Sequence, residues 1–108
     1  MRTVIRTRGF ELTTTLRDHV EKKLAASLGH LADEIRQVRV QLGDTNGPRG
    51  GVDKTCQLVV TVIGQPTVVV LDTQADLYLA IDRATRRAGH NLERQLARRY
   101  GYGSGALA

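Results

Sequence analysis

A chain of 108 residues, 41% apolar and 25% charged, is one domain's worth of sequence and buries a modest core rather than staying disordered. One cysteine, Cys56, excludes an intramolecular disulfide framework and a thiolate metal centre within one chain. No signal-peptide h-region follows Met1 and no run is long and apolar enough to span a bilayer, so the expectation is a soluble cytoplasmic protein without a membrane partner.

Residues 2–8, β-branched and alternating, predict a short strand that ends at Gly9. Thr13 or Thr14 then serves as N-cap, with Leu12 as a staple residue. Leu16, Val20, Leu24 and Leu28 recur at helical spacing, so 14–28 reads as an amphipathic helix with Gly29 as its left-handed C′ residue. Val38, Val40 and Leu42 alternate with Arg39 and Gln41, which predicts a strand over 35–42 with one buried side. The glycine-rich stretch 43–53 reads as a long, mobile loop. It is no phosphate loop, since it lacks the Gly-Lys-Ser/Thr ending and joins two strands.

Cys56, Leu58, Val60 and Val62 alternate along a strand over 54–63, and 68–74 follows as another after a turn at 64–67. The final helix runs from about Asp76 to about Tyr100. Residues 1–100 thus form a single domain and 101–108 a frayed, flexible C-terminal tail. The order β-α-β-β-β-α predicts an α+β sandwich, a four-stranded, antiparallel-rich sheet with two helices on one face.

The net charge of +5 is unevenly spread along the chain. Between residues 83 and 99 six arginines face one acid, Glu93, while the other ten basic side chains are matched by ten acidic ones. At about 100° per residue, Arg83, Arg87, Arg94 and Arg98 fall within about 60° of one another. Arg86 and His90 flank them, and the apolar set Leu77, Ile81, Ala84, Ala88 and Leu92 lies on the other side. Arg99 points to the core side, which suits a frayed end or a snorkelling side chain. Solvated faces ordinarily mix signs; a face of guanidiniums suits bidentate phosphate contacts and counterion release. A phosphate-bearing polyanion is the expected partner, and aromatic stacking is not the expected mode, since aromatics are only 4% of the chain.

Other reactive side chains have plainer readings. Cys56 sits on the apolar side of a strand and reads as a core thiol. His19, His30 and His90 lack metal-ligand spacing, although His90 shares the arginine face and joins it as an RNA contact. Asp76 suits a helix cap and Asp82 a flanking charge, so Asp72, Asp76 and Asp82 are not read as a catalytic cluster. No metal, cofactor, catalytic residue or small-molecule substrate is expected.

The segment Asp76-Leu77-Tyr78-Leu79-Ala80-Ile81-Asp82, followed by Leu92-Glu93-Arg94-Gln95-Leu96, resembles the second-helix signature of the ribosome hibernation-promoting factor family, also known as ribosome-associated inhibitors or sigma-54 modulation proteins. Leu12-Thr13, Leu16-Arg17, Val20 and Lys23-Leu24 are similar to its first helix. The resemblance implies a fold like a double-stranded-RNA-binding domain. It also implies a short-form factor of starvation and stationary phase that binds small-subunit rRNA in the tRNA and mRNA channel near the decoding region and inhibits translation. Carried over by position, the RNA contacts are Lys22 and Lys23 in the first helix and Arg83, Arg86, Arg87, Arg94 and Arg98 in the second. Two departures stand out: the stretch between Asp82 and Leu92 is about one helical turn longer than usual, and Gly89 inside it suggests a bend. Two other readings stay open, a general module for structured RNA and a protein-interaction regulator of transcription, as does weak pairing of two copies through a sheet edge.

Overall fold

The computed structural model describes residues 1–44 and 52–100, with only the backbone of Tyr100; most of the glycine-rich loop and the tail 101–108 lie outside the described residues. The elements are β1 (Arg2–Arg8), α1 (Thr14–Leu28), a 3-10 helix (Gly29–Glu34), β2 (Ile35–Asp44), β3 (Lys54–Val62), β4 (Val68–Gln74) and α2 (Leu77–Tyr100). The strands lie in the order β1-β2-β3-β4. β1 runs parallel to β2, and the two remaining pairs are antiparallel. A helix must link the parallel pair, because such strands need a crossover connection; α1 is that link. The expected α+β sheet is thus observed, mixed in direction, with both helices on one face.

Alternation decides which face is covered. Val38, Val40 and Leu42 of β2, Cys56, Leu58 and Val60 of β3 and Val68 and Val70 of β4 are buried together with Leu16, Val20, Leu24 and Leu28 of α1. From α2 come Ala80, Ile81, Ala84, Ala88, Leu92 and Leu96. Thr85, also buried on α2, donates its hydroxyl hydrogen to the Ile81 carbonyl at 2.9 Å and so meets its own polar demand.

Helix ends follow local chemistry. Thr13 caps α1, its Oγ1 accepting from the Leu16 amide at 3.1 Å. Asp76 does the same for α2, accepting from the Tyr78 amide at 3.0 Å. Gly29 differs from expectation: its φ of −57° is right-handed, and the chain tightens into the 3-10 helix instead of reversing. Gly89 differs too. α2 is continuous through it, and a Cβ there would lie 2.7 Å from the Ser27 carbonyl oxygen of α1. The glycine permits a close crossing of α1 and α2, a reason that lies outside its own helix. Arg99 is held rather than frayed, donating from Nη1 to the Ile63 carbonyl at 3.4 Å beside the β3–β4 turn.

Candidate nucleic-acid interface

The two helices form one outer layer, and the basic residues singled out in the sequence lie along it. Arg86, His90, Arg94 and Arg98 of α2 and Lys22 of α1 are exposed. Arg94 donates to the Asn91 side chain, which steadies its guanidinium without neutralising it. Arg98 borders a shallow hollow with Asn91, Arg94 and Gln95 above Val68 and Val69 of β4.

Arg83 and Arg87 differ from the rest. Asp72 of β4 lies on the core face of its strand, paired in register with Cys56, and its side chain is only 5% exposed. Arg83 Nε and Arg87 Nη1 each lie 3.4 Å from Asp72 Oδ2. Arg87 also donates to the Leu71 carbonyl at 2.9 Å, and Gln74 donates to Asp72 Oδ1 at 2.7 Å. A buried carboxylate is tolerable only when paired and hydrogen-bonded, and α2 supplies the pairing. Both arginines remain half exposed, at 51% and 50%, so each still presents guanidinium edges to an approaching phosphate. An acid therefore does oppose part of the arginine stripe; it comes from β4, outside the helix in which it was sought.

The seam between the helices carries further pairs. His19 Nε2 lies 2.8 Å from Asp82 Oδ1, and Lys23 Nζ lies 3.8 Å from the same oxygen. The His19 ring meets Tyr78 edge-on, with centroids 4.7 Å apart, so Tyr78 packs at the rim of the helix layer. His30 Nε2 pairs with Glu93 Oε1 at 3.1 Å. Lys23 is thus directed into the seam, whereas Lys22 is directed outward. Asp72, Asp76 and Asp82 each have a separate partner, and the three do not converge.

A groove of about 640 Å³ lies between the 3-10 helix and the last turns of α2, lined by Leu31, Leu96 and Ala97 with Asp33, Glu34 and Glu93 and with His30 and Arg94. The groove mixes signs, and one of its carboxylates, Glu93, is paired with His30. Cys56 is fully buried, and burial, reinforced by the charge of Asp72, pushes its thiol up to about 12. A thiol held protonated is a poor nucleophile. Among the described residues, no group of three or more His, Cys, Asp or Glu is placed to hold a metal ion, and no helix is long and apolar enough to cross a membrane.

Solved structures with this architecture include a ribosomal subunit interface protein from Coxiella burnetii, with a TM-score of 0.77 and 21% identity over 90% of this chain and 99% of that one. At that identity the likeness is one of fold. The N-terminal domain of Protein Y from Thermus thermophilus matches with a TM-score of 0.71 and 29% identity over 87% of this chain and 98% of that one. No curated protein matches the chain. The family model described as sigma 54 modulation protein / S30EA ribosomal protein matches residues 3–100. That match spans every element from β1 to α2, including the helix signature that first suggested the resemblance, and the chain belongs to this family of ribosome-associated, hibernation-promoting factors.

Proposed function

We propose that this protein silences translation by lodging its helix layer against small-subunit rRNA near the decoding channel. The observation that carries the reading is the outer face of α2, where Arg86, Arg94 and Arg98 stand exposed with no carboxylate partner among the described residues and His90 lies beside them. Lys22 extends that face onto α1, and Arg83 and Arg87 add half-exposed guanidiniums already oriented by Asp72. Family membership supports a ribosomal target.

The mechanism is occupancy rather than catalysis. Each guanidinium that meets a phosphate releases condensed counterions, so binding is favoured strongly at low salt and weakens steeply as salt rises. Arginine adds planar, bidentate donors to the electrostatic term. A rigid helix holds these donors in fixed spacing, which reduces the entropy lost on docking. A body seated this way in the channel excludes tRNA and mRNA by volume alone.

The test is cosedimentation of the purified protein with small subunits and whole ribosomes, paired with an in vitro translation assay. The expected result is association at low salt, inhibition of translation and displacement by a ligand of the decoding site. Absence of association at low salt overturns the reading. Association that no decoding-site ligand displaces supports a general structured-RNA module instead. A protein complex that survives high salt and nuclease supports an interaction regulator.

A further inference from the structure

The sheet has a second face, which no helix among the described residues covers. Alternation along the strands assigns its residues: in β1, Thr3, Ile5 and Thr7 pair in register with the buried Val38, Val40 and Leu42 of β2, so Arg2, Val4, Arg6 and Arg8 point the other way. In β2, Arg39 joins them, opposite Val4 on one side and Val59 on the other. All four arginines are exposed, and none makes an ion pair or a side-chain hydrogen bond among the described residues. No Asp or Glu shares this face in any strand. Along the chain these charges look cancelled, because acids are close in sequence. The fold sends the nearby acid of β2 elsewhere: Asp44 lies on the opposite face and meets Lys54 at 3.2 Å.

The arrangement is also locally concave. Arg6 and Arg39 border a cleft of about 220 Å³ whose other walls are Gln41, Gln57 and Val59. Two guanidiniums and two amides around one cleft are donors suited to phosphate and ribose oxygens. Arg2, Arg6 and Arg8 extend the donors in a line along β1, and alternate strand residues repeat every ~6.6 Å. Among the described residues no strand places an aromatic side chain on this face, which suits contacts with a backbone rather than with stacked bases. The exposed apolar residues of this face, Val69 and Leu71, lie on β4, at the sheet edge away from the β1 arginines.

We propose that the open sheet face is a second surface for an RNA backbone, so that the protein holds two RNA segments, one against its helices and one against β1 and β2. The assignment rests on the reading that the helix layer binds RNA. It adds that the opposite face is loaded for the same partner. A factor basic on both sides suits a cleft with nucleic acid on both walls.

The test uses the full chain and a short blunt RNA duplex, titrated calorimetrically at low salt. Wild type is expected to bind two duplexes. The triple variant Arg2→Gln, Arg6→Gln, Arg39→Gln is expected to bind one and to lose about 2 units from the log–log salt slope. The helix variant Arg86→Gln, Arg98→Gln retains the sheet site. Thermal unfolding of each variant confirms that the fold is intact, which exposed side chains favour. A triple variant with unchanged stoichiometry and slope overturns the proposal. A wild type that binds one duplex, abolished by the helix variant, also overturns it but leaves the helix-face reading standing. A wild type that binds no duplex overturns it as well. Loss of poly-glutamate binding in the triple variant with RNA binding unchanged reassigns the face to an acidic protein and overturns the proposal.

Discussion

Asp72 of β4 and Arg87 of α2 meet across the seam between sheet and helix, with Nη1 and Oδ2 3.4 Å apart and Arg83 at the same distance from the same oxygen. One buried carboxylate thus ties α2 to β4 and holds two arginines of the helix beside the sheet. Structural and binding roles overlap in these two side chains, and they separate in the arginines further along the helix.

Replacing Asp72 by Asn removes the charge and keeps the size. The arginines are half exposed and rehydrate, so the loss is smaller than for a fully buried pair. Equilibrium unfolding in urea is expected to show a stability lower by about 1–2 kcal/mol, in the range of hydrogen bonds to charged groups. An unchanged midpoint would mean that the pair contributes nothing net.

A comparison of two double variants separates the overlapping roles. Arg86→Gln, Arg98→Gln should leave the thermal midpoint in place while reducing the slope of log affinity against log salt for ribosomes by about 0.7–0.9 per lost phosphate contact. Arg83→Gln, Arg87→Gln should lower both the midpoint and the affinity, since Asp72 is left buried without a cationic partner and keeps only the Gln74 amide. Equal midpoints for the two variants would refute the anchoring role.

Gly89→Ala opposes two effects. Alanine is about 1 kcal/mol better than glycine in a helix interior, but its Cβ would meet the Ser27 backbone oxygen at 2.7 Å, where no flexible atom can yield. Overpacking of this kind costs about 1–3 kcal/mol. Net destabilisation is expected, read as a lower urea midpoint; a stabilised variant would refute the close crossing of α1 and α2.

Cys56 gives a prediction in pH. Burial raises its thiol from an ordinary value near 9 to about 12. Between those values the unfolded chain gives up the proton and the folded chain keeps it, so this group makes stability fall as pH rises through that window. The slope approaches about 1.4 kcal/mol per pH unit for one proton. Cys56→Val should flatten the alkaline loss, and the native thiol should resist alkylation at pH values where the urea-unfolded chain reacts. Rapid alkylation of the folded protein would count against the burial.

How legible the protein is in its sequence depends on the range of the interaction. The helix over 14–28, the strand over 68–74 and the capping by Thr13 and Asp76 follow from residues within a few positions of one another, and each is observed. The 3-10 turn after Gly29 was not legible, because nothing local to Gly-His-Leu-Ala-Asp-Glu distinguishes a tightened turn from a loop. Nor was the purpose of Gly89, whose reason for having no side chain is the Ser27 carbonyl on another helix. The exposed arginines of α2 were found by helical periodicity alone, since that stripe lies within one element.

What sequence by itself determined, then, is the element order, the buried stripes and the basic face of α2, all of which follow from local propensity and periodic burial. Tertiary structure alone decided which charges meet. It set Asp72 beneath Arg83 and Arg87, from positions 11 and 15 residues away, and drew Asp82 to His19 across 63. It also left Arg2, Arg6, Arg8 and Arg39 on one sheet face without an acidic partner among the described residues. Charge interacts through space, and a count along the chain cannot see a neighbour that the fold supplies or one that it carries away.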